Sequence, residues 1–408
     1  MAEEKATKKS IKKANYLSAR ESARISRENR KITDELEKKK KRKNVPESEY
    51  LTQMRDPSNV LEIDNLHTYF YTDIGVAKAV DGVTFDVPAG KTVGIVGESG
   101  CGKSVTSLSI MHLVQRPQGQ IVKGEIRFNA GDKVYDIAKM PLEKMNEIRG
   151  NKISMIFQEP MTSLNPVFRI GQQVDEVIEL HSSDLFRGNA EFEKAQGKDG
   201  EAKKARAALI KARTIEMLNL VGIANSEGVY HMYPHELSGG MRQRVMIAMA
   251  LACEPKVIIA DEPTTALDVT IQAQILDILK SLKDKINASI IIITHDLGVI
   301  AEIADYVAVM YAGRVVEKGT AKEIFDHPSH PYTIGLMASR PVLRKRVNRL
   351  YSIPGKVPNP INMPNYCYFK DRCEMCVEAC SGPYPGETAL SPTHCVSCYR
   401  YAKDDKND

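Results

Sequence analysis

The chain has 408 residues, 42% hydrophobic and 27% charged, with 8 cysteines, no tryptophan and a formal net charge of +5. That length supplies core for two to three domains, and the near-average composition excludes collagen-like, mucin-like and wholly disordered classes. The best apolar runs, at 257–260 and 289–293, fall far short of the roughly 18–20 residues a membrane span requires. The charged start from Glu3 onward lacks an apolar export signal, so secretion is not expected.

Residues 1–57 hold 17 Lys/Arg against 10 Asp/Glu, whereas the remainder holds 40 against 42. The basic excess is therefore local, and Lys38 opens a run of consecutive basic residues ending at Lys43. Ile11, Leu17, Ile25, Ile32 and Leu36 are too sparse for a heptad seam, which predicts a solvated, partly helical extension. Anionic lipid is one partner for it, since a polybasic segment gains about 1 kcal/mol per Lys/Arg near such a surface. Nucleic acid is not expected, because Tyr16 and Tyr50 are its only aromatic residues.

From about Leu61 the texture changes. Residues 61–70 and 79–87 alternate as strands of an antiparallel layer. Four short β-branched runs follow, at 93–96, 153–157, 257–260 and 289–293, with helical patterns such as 104–114 and 271–282 between them. This is the pattern of a parallel sheet with helical crossovers, whose ligand chemistry lies beyond the strand C-termini. Residues 181–213 read as an exposed helical excursion, and after Phe325 rising Pro and Cys density marks a separate appendage.

Residues 97–104 read GESGCGKS between one strand and one helix, the pattern of a phosphate-binding loop. Gly97, Ser99, Gly100, Cys101 and Gly102 would turn backbone N–H groups toward phosphate oxygens, reinforced by the helix N-terminus. Lys103 would reach the β- and γ-phosphates of a bound nucleotide, and Ser104 would ligate Mg²⁺. Residues 257–262, VIIADE, end a buried strand in two carboxylates. Asp261 suits Mg²⁺, and Glu262 suits a general base acting on water. Cys101 and Cys253 stand alone, while six cysteines crowd between Cys367 and Cys398. The CxxC pairs Cys373/Cys376 and Cys395/Cys398 suit a tetrahedral zinc site, and four thiolates equally suit iron–sulfur ligation.

With residues 237–244, LSGGMRQR, the chain resembles the ATP-binding-cassette ATPases. Other stretches match that family in order. Gln158 resembles the Q-loop glutamine, Ala266 to Asp268 the D-loop, and His295 the switch histidine. Phe70 matches the A-loop aromatic that stacks on adenine, with Tyr69 or Tyr71 in reserve. The resemblance covers about residues 59–325. It implies an α/β P-loop cassette with a parallel core sheet, an antiparallel β layer and a helical signature subdomain at about 162–250. That domain would span 58–325, followed by a small Cys-rich C-terminal domain at 326–408. The resemblance also implies catalysis by Glu262 and His295 with Lys103 and Gln158, and Mg²⁺ held by Ser104, Gln158 and Asp261. ATP would lie between two subunits, against Ser238, Gly239, Gly240 and Asp268 of the opposite one.

Residues 158–166 (QEPMTSLNP), 330–336 (HPYTIGL) and 353–360 (IPGKVPNP) resemble the oligopeptide/dipeptide and nickel importer branch. This implies two separate permease subunits, an extracytoplasmic peptide-binding protein and a second ATPase, expected to be a related F-type chain in a heterodimer. The location implied is peripheral, on the cytoplasmic side of the membrane. Cys367, Cys373, Cys380 and Cys398 match the branch's four-cysteine spacing, associated with a [4Fe–4S] cluster; zinc is the alternative. Cys376 and Cys395 depart from that pattern. A soluble cassette ATPase acting on nucleic acid or ribosomes, helped by the basic tail, is the rival reading, opposed by the single cassette and the importer-type stretches.

Overall fold

Two sheets organise the residues that the computed structural model describes, 17–195, 200–265, 267–339 and 351–402. Ala266 of the D-loop stretch and the first 16 residues of the basic extension lie outside them. In chain order, α1 (Ala19–Lys40) precedes β1 (Asn59–Thr72), β2 (Gly75–Pro88), β3 (Thr92–Val96) and α2 (Lys103–Ile110). Then come β4 (Gly119–Asn129), β5 (Val134–Asp136), β6 (Ile153–Ile156) and the helices α3 (Ile170–Leu180), α4 (Gly200–Leu220) and α5 (Gly239–Leu251). They are followed by β7 (Val257–Asp261), α6 (Val269–Ile286), β8 (Ser289–Ile293) and α7 (Leu297–Ile303). The chain closes with β9 (Tyr306–Tyr311), β10 (Arg314–Thr320), α8 (Pro331–Ala338), β11 (Thr388–Ala389) and β12 (Cys395–Val396). No described helix is long and apolar enough to cross a membrane.

The larger sheet has the order β11-β12-β10-β9-β3-β8-β7-β6. Strands β9, β3, β8, β7 and β6 are parallel. Both faces of that block are covered, which is why β8 reads SIIII with every residue buried. Alternation divides the strand between two cores. Ile291 and Ile293 face the core shared with the antiparallel layer, whereas Ile290 and Ile292 face the helical side. The smaller sheet is antiparallel, in the order β2-β1-β4-β5.

Three features differ from expectation. The basic extension is not wholly solvated: α1 begins in a Ser18/Glu21 capping box and buries Asn29, Thr33 and Glu37. Asn29 Nδ2 donates to the Thr72 carbonyl at 2.7 Å, and Gln120 Nε2 donates to Glu37 Oε1 at 2.8 Å. The helix docks through polar side chains, so no apolar stripe announces it. The excursion at 181–213 is not exposed throughout either, because it buries Ser182, Phe192, Ala202 and Ile210.

The segment after Phe325 is not a separate appendage. Strand β12 pairs antiparallel with β10, Glu317 opposite Val396, and β10 in turn pairs antiparallel with β9, so the core sheet is mixed rather than wholly parallel. The buried Glu317 carboxylate accepts from the N–H groups of Ser329 and His330 at 2.7 and 2.8 Å, and contacts His394 Nε2 at 2.7 Å. Tyr332 and Phe369 pack on Tyr311, with ring centroids 4.7 and 5.1 Å away. Residues 360–362 run beside the start of β2, where Lys78 N–H donates to the Pro360 carbonyl at 3.0 Å.

Candidate functional site at the end of the parallel strands

The loop leaving β3 turns sharply into α2. Gly97 and Gly102 have φ values of +155° and +101°, and a Cβ there would stand 2.2 Å from the Met310 carbonyl oxygen and 2.3 Å from that of Ala79. Only glycine permits this close backbone approach. Lys103 is buried, and its ammonium donates to the carbonyls of Gly97 at 2.7 Å and Glu98 at 3.1 Å. Ser104 Oγ donates to Asp261 Oδ1 at 3.1 Å. Burial pushes the Asp261 carboxyl above its usual range, opposed by the Ser104 hydrogen bond and reinforced by the charge of Glu262.

Glu262 follows β7 with a left-handed φ of +47°, and its N–H donates to the Ile293 carbonyl of β8 at 2.8 Å. Such a conformation costs a non-glycine residue about 1–3 kcal/mol and concentrates at functional positions. Its carboxylate is surrounded. Gln158 Nε2 donates to Oε2 at 3.1 Å, Thr265 Oγ1 donates to Oε2 at 2.9 Å, and His295 Nδ1 lies 3.3 Å from Oε1. Lys103, Ser104, Gln158, Asp261, Glu262 and His295 thus meet at one end of the parallel strands. The oxygen donors Ser104 and Asp261, in direct contact, and Gln158, which bonds the adjacent Glu262, fit a Mg²⁺ site in chemistry.

The remaining positions lie elsewhere. Ser238 caps α5 by accepting from the Met241 N–H at 3.3 Å, and Ser238 and Gly239 are exposed. No hydrogen bond among the described residues joins Ser238, Gly239 or Gly240 to the loop at 97–104. Asp268 caps α6 in the same way, accepting from Ile271 N–H at 2.9 Å beside the 83% exposed Val269. Phe70 is half-buried on β1 with its ring edge against Gly119. Tyr69 is engaged elsewhere, since its hydroxyl donates to Asp81 Oδ1 at 2.6 Å. Tyr71 is half-buried, and that burial raises its phenol.

Several site neighbours carry no signal in local sequence. Thr265 stands out only by preceding Ala266 to Asp268 in the stretch 263–268, PTTALD. Asp81 also receives Arg314 Nη2 at 2.6 Å and the Tyr368 hydroxyl at 2.8 Å, and its Oδ1 lies 3.1 Å from His67 Nδ1. Burial pushes the Asp81 carboxyl up, but His67, Tyr69 and the Arg314 charge together hold it far below the usual carboxylate range.

The cysteines divide into two groups. Cys367, Cys380 and Cys398 are buried and Cys373 is half-buried. Burial pushes the Cys367 thiol up to about 12, eased by the Phe369 N–H and raised further by Cys380, Cys398 and Cys373. These four therefore share one neighbourhood. Cys376 is exposed beside Cys380, while Cys395 sits on β12 and senses Glu387 and Lys318 instead. Among the described residues no group of three or more His, Cys, Asp or Glu is arranged to hold a metal ion. The donor set fits a soft metal chemically, without converging at ligand distance.

Comparison with known proteins adds two family matches. Residues 80–265 match the ABC transporter family, and residues 316–380 match the oligopeptide/dipeptide transporter C-terminal region. The chain is 48% identical over 347 residues to the oligopeptide transport ATP-binding protein AppD of Bacillus subtilis, covering 85% of this chain and 98% of that one. It is 46% identical to the dipeptide transport ATP-binding protein DppD of the same organism, covering 83% and 94%. With the oligopeptide transport ATP-binding protein OppD of Haemophilus influenzae it shares 47% identity, covering 79% and 91%. A solved structure of the ATP-binding cassette MJ0796, dimeric and bound to ADP and Pi, superposes with a TM-score of 0.52 at 25% identity. That match covers 64% of this chain and 98% of the other.

Proposed function

The chain belongs to the ABC transporter family, among the ATP-binding subunits of oligopeptide and dipeptide importers, and from that premise we propose how its site works. It is an ATPase that powers import of peptides through separate permease subunits. The observation that carries the mechanism is the Glu262 carboxylate held between Gln158, Thr265 and His295, one residue from the Ser104–Asp261 contact. Lys103 and the backbone N–H groups of 97–104 bind the phosphates, and Phe70 stacks on adenine. Ser104, Asp261 and Gln158 would hold Mg²⁺, which would supply charge neutralisation at the transferred phosphoryl group. Glu262 accepts a proton from the attacking water, and His295 steadies the γ-phosphate.

The exposed caps at Ser238 and Asp268 serve the opposite subunit, so ATP is enclosed only when two chains close. We read the partner as a related but different F-type ATPase, and the assembly as peripheral on the cytoplasmic side with two permeases and an extracytoplasmic binding protein. Cys367, Cys373, Cys380 and Cys398 are the ligand set we assign to an iron–sulfur cluster, with zinc as the alternative, supported by their shared neighbourhood. The solvent-facing basic side chains of the N-terminal extension are read as a contact for anionic lipid. The test is ATP-dependent peptide uptake by proteoliposomes holding the chain with its co-purified permeases and binding protein. Glu262→Gln should stop uptake and hydrolysis together; uptake that continued with that variant would overturn the mechanism.

A further inference from the structure

Arg372 lies outside every motif described above, yet it reaches the phosphate-binding loop. Its side chain is only 5% exposed. Nη1 donates to Glu98 Oε2 at 2.6 Å and Nη2 donates to Glu98 Oε1 at 2.9 Å, a forked pair with the second residue of GESGCGKS. The other donors are used as well. Nε binds the Pro354 carbonyl at 2.9 Å, Nη2 that of Ile353 at 3.3 Å, and Nη1 the Tyr311 hydroxyl at 3.3 Å. The guanidinium is therefore held in one orientation, the condition under which a bidentate ion pair is strongest.

Glu98 is gripped at three places. Arg372 binds the carboxylate, the Tyr332 hydroxyl accepts from its N–H at 2.8 Å, and Lys103 donates to its carbonyl at 3.1 Å. Two of those partners come from beyond residue 325, although the loop itself is at 97–104. A free carboxylate here would oppose the polyphosphate that the loop has to cradle, and a free loop would have to be ordered by the nucleotide.

We propose that Arg372 is a positioning residue for ATP: it neutralises and orients Glu98, so that the C-terminal segment sets the nucleotide affinity of the phosphate-binding loop. This rests on the reading of 97–104 as the ATP site. The role is separable from catalysis, because Arg372 makes no hydrogen bond to Asp261, Glu262 or His295.

The test is a double-mutant cycle in the full-length chain, read by titration with a fluorescent ATP analogue and by steady-state ATPase kinetics. Arg372→Gln should raise Kd and KM for ATP about tenfold, the scale of losing a charged hydrogen-bond pair, with kcat within about twofold. Glu98→Gln alone should weaken binding less, since it removes the repulsive charge with the pin. Adding Arg372→Gln to Glu98→Gln should cost nothing further. A loss of the same size in both backgrounds would overturn the proposal, because Arg372 would then act through the fold at large. Unchanged affinity in Arg372→Gln would overturn it too. If that variant does not fold, Arg372→Lys carries the test, keeping charge without the fork. It should weaken binding about threefold in the native background and not at all with Glu98→Gln, and equal losses in both would again refute it. Failure of the ATP-site reading is told apart because the unmutated chain would then not bind the analogue.

Discussion

The phosphate-binding end of the core sheet and its Cys-rich edge both bring together residues far apart in the chain, by different physical means. At the first, the functional groups follow directly on buried parallel strands, and ladder register aligns them: Asp261 lies opposite Ile293, and Glu262 N–H bonds the Ile293 carbonyl. At the second, the strands β11 and β12 are two residues each. Position there depends on individual anchors, with Glu317 holding Ser329, His330 and His394, Asp81 holding Arg314 and Tyr368, and Arg372 holding Glu98. A ladder distributes positional control over many backbone bonds, so losing one side chain leaves its neighbours in place. An anchor concentrates it, so one substitution is expected to detach a segment.

The sharpest contrast comes from Glu262→Gln. It should lower turnover by about 10²–10⁴-fold while leaving the fold intact and ATP-dependent association preserved, measured by phosphate release and size-exclusion chromatography. Retained hydrolysis would remove Glu262 as the base. Asp81→Ala should do the opposite, destabilising the chain by about 3 kcal/mol, because the half-buried Arg314 loses its counter-charge and the Tyr69 and Tyr368 hydroxyls lose their acceptor. Urea denaturation measures this, and a change below about 1 kcal/mol would show that the edge is not held by anchors.

A smaller effect separates the cysteines. Cys367→Ser should lower iron content of anaerobically purified protein severalfold, whereas Cys395→Ser should match the parent, since Cys395 sits on β12 with Glu387 and Lys318 as its leading charged neighbours. Equal iron in both variants would detach the four-cysteine neighbourhood from metal binding. The smallest effect concerns α1. Burial, with the charge of Arg116 and against that of Glu37, brings Lys40 down from 10.5 to about 8. Between those values the detached helix binds more protons than the docked one, so docking strengthens as pH rises through that window and is constant below it. Limited proteolysis of α1 should therefore slow severalfold from pH 7.5 to 9.5 relative to a Lys40→Met control. Faster cleavage at high pH relative to that control would reverse the assignment.

Legibility follows the same division. The runs at 289–293 and 257–260 could be read as buried strands because a doubly covered parallel strand must be apolar throughout, and Ser104, Asp261 and Glu262 follow at fixed offsets. The docking of α1 could not be read, because Asn29, Thr33 and Glu37 are polar residues that hydropathy assigns to solvent. The joining of β12 to β10 was equally hidden, since a two-residue strand has no period. Tyr69 and Phe70 are adjacent in sequence, but pleating sends one to Asp81 and the other to Gly119.

Length, composition and motif spacing by themselves determined the phosphate-binding loop, the paired carboxylates and the lack of an apolar run long enough to span a membrane, and the resemblance of residues 237–244 added the cassette ATPase. These depend on local backbone geometry and strand periodicity, both of which are written in consecutive residues. Tertiary structure alone decided that the Gln158 and His295 side chains meet the Glu262 carboxylate, that the basic extension docks, and that the C-terminal segment completes the sheet and grips Glu98. Those outcomes depend on contacts between residues up to 274 positions apart, where no local spacing specifies the partner and only packing brings donor and acceptor together.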